Sequence, residues 1–134
     1  MHSKANLACV DVAAPHHAYV VVEHASGAWF DRCVGFAPGY IDAPTLLSRA
    51  GIVYAAPRRL VCAVDGEPHS NAGCDGAATW HWALFVAGGH AWSPKPPGDF
   101  MLLRVGDGQA LGLRYVISAA ASPTPPPLPH ELGG

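Results

Sequence analysis

Apolar and polar positions along the chain first predict a β-hairpin over residues 18–36. The run AYVVVEH at 18–24 is rich in β-branched residues. In AWFDRCVGF at 28–36, Trp29, Asp31 and Cys33 alternate with Phe30, Arg32 and Val34. A Ser26-Gly27 pair separates the two runs. Paired strands around a small turn are typical of this pattern.

A short helix is predicted next, in FAPGYIDAPTLLSRAGI. Asp42 can accept hydrogen bonds from the free amides of the first turn, Pro44 is tolerated there, and Gly51 can close the end. Leu46, Leu47 and Ala50 share one face at helical spacing. We therefore expect one short amphipathic helix after the first hairpin.

The second half of the domain predicts further strands. LVCAVDG at 60–66 is typical of a buried strand ended by an Asp-Gly turn, and 67–78 is typical of a loop. TWHWALFVAGGHAW at 79–92 predicts a second hairpin around Gly88-Gly89, and a closing strand is expected over 110–118. The order β-β-α-β-β-β predicts an α+β protein of β-grasp type, a mixed sheet with one short helix packed across it.

Three segments are expected along the chain. Residues 1–17 are an N-terminal extension, 18–118 the β-grasp-like domain, and 119–134 a Pro-rich tail without hydrophobic period that predicts disorder. PPPLP at 125–129 is also the kind of sequence that aromatic grooves recognise. An alternative is that the tail folds back onto the tryptophans of the same chain.

Composition limits the classes of partner. The 134 residues suffice for one domain, and only 13% of them are charged. The formal net charge of -2 and the scattered basic residues argue against nucleic acid as a partner. Gly, Pro, His or a charge interrupts every apolar run, so we expect no membrane span.

Four cysteines, Cys9, Cys33, Cys62 and Cys74, allow three disulfide pairings. A bridge between Cys62 and Cys74 would pin the loop over 67–78. Disulfides favour a secreted or cell-surface protein whose leader has been removed, and reduced core thiols would instead indicate the cytoplasm. No cysteine pair has the close spacing of a structural zinc site.

Several motifs carry a resemblance to a known family. The segments that carry this resemblance are LVCAVDGEP, TWHWALFVAGG, RVGDGQALGLRYVI and the helix DAPTLLSRAG. With these segments the sequence resembles the C-terminal domain of the cobalamin carriers transcobalamin and intrinsic factor and its bacterial relatives. RCVGFAPGY and the Gly88-Gly89-x-x-Trp92 turn look most like a secreted actinobacterial branch. The resemblance covers roughly residues 18–118. It implies a β-grasp fold and extracellular capture of a ligand, with cobalamin as the possible bound molecule and no certain cofactor.

The opening of the second hairpin divides candidate binding residues between two faces. Successive side chains of a strand point to opposite faces, so Trp80 and Trp82 share one face and His81 lies on the other. An exposed tryptophan face could bind a flat ligand, whereas a face covered by the helix is simply core. We therefore take Trp80, Trp82 and Trp92, with Tyr40 and His81 at the margin, as candidate ligand-binding residues.

Three functions follow as expectations. The first is binding of a small hydrophobic or planar molecule, with a corrinoid as first guess. The second is a protein interaction module or homodimer that uses the same aromatic surface. The third, less favoured, is a small biosynthetic enzyme of natural-product metabolism with His81, Asp99 or Arg114 as acid-base groups, since no familiar catalytic motif occurs. A metal site at His81 and His90 is also less favoured than solvated histidine.

Overall fold

The structure is a computed structural model that describes residues 9–57, 59–68, 81–116 and 124–132. Trp80, Cys74 and most of the loop predicted over 67–78 lie outside these described residues. The described part holds ten strands and one α-helix.

The elements follow one another closely along the chain. The strands are β1 (Cys9–Val10), β2 (His16–Glu23), β3 (Trp29–Phe36), β4 (Tyr40–Asp42), β5 (Tyr54–Ala55), β6 (Ala63–Val64), β7 (His81–Gly88), β8 (Ala91–Lys95), β9 (Arg104–Gly106) and β10 (Gln109–Val116). The α-helix α1 spans Ala43–Arg49, and 3-10 turns span Pro97–Leu102 and His130–Leu132.

Six strands form one mixed sheet in the order β1-β3-β2-β10-β7-β8. The antiparallel pairs β2-β3 and β7-β8 are the two predicted hairpins. Strand β10 lies between them, antiparallel to β7 and parallel to β2. The prediction of a mixed sheet with one short α-helix is therefore confirmed for the described residues.

Glycine sets both hairpin turns. Gly27 has a φ of 95° and Gly89 a φ of 83°, values in the left-handed region that side chains with a Cβ seldom adopt. Such turns match the right-handed twist of the strands that they join. Gly27 and Gly89 therefore form turns at the positions predicted from the sequence.

The helix α1 is capped as its sequence predicts. The carboxylate of Asp42 accepts a hydrogen bond from the backbone N–H of Thr45 at 2.8 Å, and Gly51 follows the helix with a φ of 77°. Leu46 and Leu47 are fully buried against the sheet. The helix therefore covers one face of the sheet and fixes where the main core lies.

That main core fills the space between α1 and the sheet. Large buried side chains from three central strands meet the helix there, among them Val20, Trp82 and Leu113. A second, smaller set of buried residues, Ala83, Phe85 and Val116, lies apart from it and packs with Trp92. Because successive residues of β7 alternate between these two sets, the smaller set belongs to the opposite face of the sheet.

The strand predicted over 60–66 is much shorter than expected. Only Ala63–Val64 pairs, with Tyr54–Ala55, in a separate two-stranded sheet. Arg59 and Asp65 both have positive φ, at 69° and 54°, so extended backbone is interrupted on either side of the pair. A valine-rich run between two such bends cannot extend into a full strand.

The N-terminal region also takes part in the sheet. β1 pairs in parallel with β3, and β2 begins at His16, so the sheet includes part of the segment 1–17 that we expected to be an extension. Cys9 lies opposite Cys33 and the two form a disulfide. Cys62 is disulfide-bonded as well. The predicted bridge to Cys74 involves a residue outside the described part of the chain.

Within the described ranges, the structure contains no helix of the length and apolar character that crossing a bilayer requires.

Candidate functional site

Trp82 does not belong to an open ligand platform. Its side chain is fully buried, its ring lies 5.1 Å from that of Tyr115, and its Nε1 donates to the backbone oxygen of Glu67 at 2.9 Å. Of the two alternatives that strand alternation leaves open, the core position is the one found. The placement of Trp82 among ligand-binding residues is therefore corrected.

The candidate surface is the face of the six-stranded sheet opposite α1, which we call the outer face. Strand alternation brings Phe85 and Arg114 to this face, and His81 and Trp92 lie on it as well. Strand β3 contributes Trp29 and Asp31. The outer face therefore combines aromatic rings with charged groups of both signs.

Trp92 reaches across the centre of the outer face. A Cβ on Gly112 would lie only 2.8 Å from Cη2 and Cζ3 of Trp92, so the indole reaches from β8 over β7 to the backbone of β10. The ring meets Phe85 edge-on, with centroids 6.3 Å apart. Gly112 is thus the residue that lets the indole come so close.

The C-terminal residues 124–132, which we call the strap, lie against this face. Pro126 and Pro129 are both buried, and Pro126 Cγ is 3.1 Å from the position of a Cβ on Gly112. Trp92 and Pro126 therefore both lie over the same glycine. The described part of the predicted disordered tail is held to the sheet, which corresponds to the fold-back alternative.

Arg114 holds the beginning of the strap. Its Nη1 donates to the backbone oxygen of Thr124 at 2.8 Å and to the hydroxyl of the same residue. Arg114 Nε also lies 3.7 Å from a carboxylate oxygen of Glu23 on the neighbouring strand. The guanidinium is thus oriented from both sides.

His130 holds the end of the strap. Its backbone N–H and its Nδ1 both donate to Oδ2 of Asp31, at 2.9 and 2.8 Å. Its ring stacks on the indole of Trp29. Two residues further on, the backbone oxygen of Leu132 accepts a hydrogen bond from Nδ1 of His90 at 2.9 Å.

A second group of ionisable residues lies at the opposite end of the sheet from the β7-β8 turn. His24 donates from Nδ1 to Glu67 at 2.7 Å and from Nε2 to Asp65 at 2.9 Å. Only the protonated imidazole donates from both nitrogens, so this arrangement fits a cation between two carboxylates. Burial lowers the pKa of His24, but hydrogen bonds and charges from Asp65 and Glu67 outweigh burial and raise the pKa above its usual value.

Tyr40 lies in a different part of the molecule from the tryptophans. It belongs to β4, which pairs only with β9 in the described structure, and the guanidinium of Arg104 lies 4.4 Å from its ring centre. The phenol lines a cavity of about 330 Å³ that also borders Phe36 and Arg49. This volume is at the lower end for small-molecule sites, so Tyr40 can serve a separate pocket but not the outer face.

The histidines predicted as metal candidates do not approach each other. His81 begins β7 and His90 follows its end, so the length of an eight-residue strand separates them. Among the described residues, no three His, Cys, Asp or Glu side chains form a group suited to a metal ion. The three acid-base candidates also lie on different elements: His81 on β7, Asp99 in a 3-10 turn and Arg114 on β10.

The candidate ligand-binding residues predicted from the sequence therefore do not form one site. Trp92 and His81 remain on the outer face, Tyr40 borders another cavity, Trp82 is core and Trp80 lies outside the described residues. Trp29, Asp31 and His130 were missed by sequence reasoning. The signal available for them was the PPPLP motif itself, which requires an aromatic surface somewhere on its partner.

Comparison with known proteins leaves the chain's own geometry as the guide to its function. The chain matches no family model, no curated protein and no solved structure. The resemblance to the C-terminal domain of cobalamin carriers therefore stays a prediction.

Proposed function

We propose that this protein is a binding domain whose ligand surface is the outer face of the sheet. The observation that carries this proposal is that, among the residues that the structure describes, Trp29 and Trp92 lie beneath a strap and not beneath a second structural layer. A sheet face that bears large aromatic rings and no covering helix or sheet is typical of recognition surfaces. Arg114 and Asp31 add fixed polar partners that can orient a ligand.

A β-grasp fold is part of this proposal. In the six-stranded sheet, β10 lies between the two hairpins and runs parallel to β2, and α1 crosses one face. This arrangement supports the β-grasp prediction made from the order of elements. It also leaves the outer face as the side of the sheet without the helix.

Secretion or display at the cell surface fits the same proposal. Cys9 and Cys33 form a disulfide, and Cys62 is disulfide-bonded too. Such bonds form and persist mainly in oxidising compartments. An extracellular binding domain would keep both bridges throughout its working life.

Planar apolar molecules are one class of ligand for this face, and the family resemblance makes a corrinoid the first of them to test. Such a ligand would have to displace the strap, because Pro126 and Trp92 both lie over Gly112. Ligand binding and strap release are therefore linked: weakening the strap should strengthen binding.

The test uses the full chain and a variant, Pro126→Ala/Pro129→Ala, that weakens the strap without touching the sheet. Cobalamin, haem and a panel of planar metabolites are titrated while tryptophan fluorescence is recorded. Binding that is tighter in the variant and is lost in Trp92→Ala supports the proposal. If neither these compounds nor a peptide with the sequence of residues 122–132 binds to the variant, the outer face is not a ligand surface.

A further inference from the structure

The buried prolines of the strap are three residues apart. Pro126 and Pro129 are buried, Pro127 and Leu128 between them are half-buried, and Thr124 and Pro125 before them are exposed. Residues 124–129 belong to no helix or strand. In a polyproline helix, which has three residues per turn, positions separated by three face the same side. The strap therefore buries one side of a proline-rich segment, spaced as in the PxxP motif.

The outer face is suited to such a segment. Proline has no backbone N–H, so a proline-rich segment gains little from strand pairing and is instead held by contacts of its rings. Trp92 supplies an aromatic ring near Pro126, and Gly112 lacks the side chain that would occupy the space that both rings approach. Phe85 supports the indole edge-on from below.

Two polar contacts fix the position and direction of the segment. Arg114 binds Thr124 before the first buried proline, and Asp31 binds His130 directly after the second. These contacts differ in chemistry: a cation donates at one end and an anion accepts at the other. A segment bound in the reverse direction would place neither of its ends correctly.

The polar contacts at both ends of the strap are accessible to solvent. The His130 side chain is 61% exposed and that of Arg114 is 33% exposed, so water can compete for the hydrogen bonds that hold the two ends of the strap. A tethered segment is present at an effective concentration on the order of millimolar. A free segment with the same pattern competes once its own affinity for the face exceeds that of the tethered one.

We propose that the outer face recognises proline-rich segments of other proteins, with two prolines three residues apart and a hydrogen-bonding ring residue after the second. The strap is then an internal copy of that ligand, which keeps the site closed until a partner displaces it. This inference rests on the proposed function, since it names the ligand class of the same face. In this proposal the outer face selects its partner by shape and by the contacts of Arg114 and Asp31, and not by apolar area alone.

The test measures binding of a fluorescein-labelled synthetic peptide with the sequence of residues 122–132. The peptide is titrated against the native chain and the full-length Pro126→Ala/Pro129→Ala variant, with fluorescence anisotropy as the readout. We expect the variant to bind the peptide about tenfold more tightly, because its own strap no longer competes at millimolar effective concentration. The same two prolines replaced by alanine in the peptide should abolish binding.

Two further variants locate the bound peptide. Asp31→Ala, introduced into the strap-weakened chain, should weaken peptide binding, and Asp99→Ala, a carboxylate on the remote 3-10 turn, should leave it unchanged. Circular dichroism of each variant verifies the fold. Equal effects of the two substitutions would overturn the assigned position of the peptide.

The outcomes separate this inference from the proposal on which it rests. A strap-weakened chain that binds cobalamin or another planar compound but not the peptide keeps the outer face as a ligand surface and overturns the proline-rich ligand. Peptide binding of equal strength to the native and strap-weakened chains overturns the strap as an internal competitor. Failure to bind either class overturns both proposals.

Discussion

The imidazole of His130 stacks on the indole of Trp29, with ring centroids 5.3 Å apart and planes inclined by 23°. The same histidine donates from its backbone N–H to Asp31, two residues along the same strand. The two contacts join the end of the strap to β3, whereas its beginning is joined to β10 through Arg114. The strap is thus attached to two different strands. Because the backbone N–H of His130 is hydrogen-bonded only while the end of the strap is in place, its exchange rate reports the opening of that end.

Asp31→Ala should speed hydrogen exchange at the backbone amide of His130. The substitution removes the acceptor of that N–H, and a hydrogen bond to a charged group contributes about 1.5–3 kcal/mol before solvent screening is considered. Because His130 is well exposed, we expect an increase of about 5- to 10-fold, measured by NMR. Asp99→Ala is the control and should leave this amide unchanged. An unchanged rate in Asp31→Ala would mean that the strap is held elsewhere.

The two tryptophans of the second hairpin should differ in their effect on stability. Trp82→Ala empties a fully buried site and should lower the free energy of unfolding by about 3–5 kcal/mol. Trp92→Ala removes a partly exposed ring and should lower the free energy of unfolding by about 1–2 kcal/mol. Urea denaturation measures both, and Trp82→Phe gives a milder core variant if the alanine chain does not fold. Equal losses would contradict the assignment of the two faces.

Gly112→Ala should loosen the outer face. Its Cβ would lie 2.8 Å from the Trp92 ring, so the indole and Pro126 must shift, and such overpacking costs about 1–3 kcal/mol. Gly39→Ala is the matched control, since a Cβ there meets nothing within 4 Å. Denaturation midpoints and the emission wavelength of tryptophan give the comparison. If both variants behave alike, the indole does not lie over β10.

Stability should depend on pH through His24. Its pKa is raised in the folded state: burial lowers the pKa, but the hydrogen bonds that His24 donates to Asp65 and Glu67, and the charges of these carboxylates, outweigh burial. A raised folded pKa means that the contribution is complete below the unfolded value of about 6.5 and is lost as the pH rises through the folded value. The native chain should therefore lose stability over that window more steeply than His24→Gln.

Urea midpoints measured in steps from mildly acidic to alkaline pH provide this comparison. His90→Gln is the control, because the described hydrogen bond of His90 is to a backbone oxygen and not to a carboxylate. It should follow the native profile. Parallel profiles of the native chain and His24→Gln would show that the ion group does not supply the dependence.

Loss of the Cys9–Cys33 bridge should destabilise the protein. The bridge joins residues 24 positions apart, and a loop of that size corresponds to about 3 kcal/mol in the chain-entropy account. Cys9→Ser/Cys33→Ser should show this loss in non-reducing urea denaturation. In the native chain, alkylation without reductant should leave Cys9, Cys33 and Cys62 unmodified. Labelling of any of the three would contradict the oxidised state.

Local elements were predictable from the sequence because their signals are local. Asp42 caps α1 through an amide three residues away, and Gly27 and Gly89 adopt the φ values that their turns require. The same kind of reasoning overestimated the strand at 60–66. Its valines were visible, but the positive φ of Arg59 gave no sequence signal, since arginine rarely adopts it.

The orientation of the second hairpin could not be predicted from its own residues. Alternation assigns Trp82 and His81 to opposite faces, but only the position of α1 decides which face is core. That position depends on the pairing of β10 with both β2 and β7, which brings distant parts of the chain together. The strap was equally hard to predict, because a proline-rich composition is common to disordered tails and to bound polyproline segments.

The central place of β10 has a consequence for how the chain acquires its structure during synthesis. The two hairpins leave the ribosome before β10, and in the folded sheet they are not hydrogen-bonded to each other. They are therefore joined into one sheet only after residues 109–116 have emerged. Until then β2 and β7 each present an unpaired edge, which is the kind of surface that promotes aggregation. Completion of the sheet is therefore a late step, and expression at high yield should depend on how quickly that last strand finds its place.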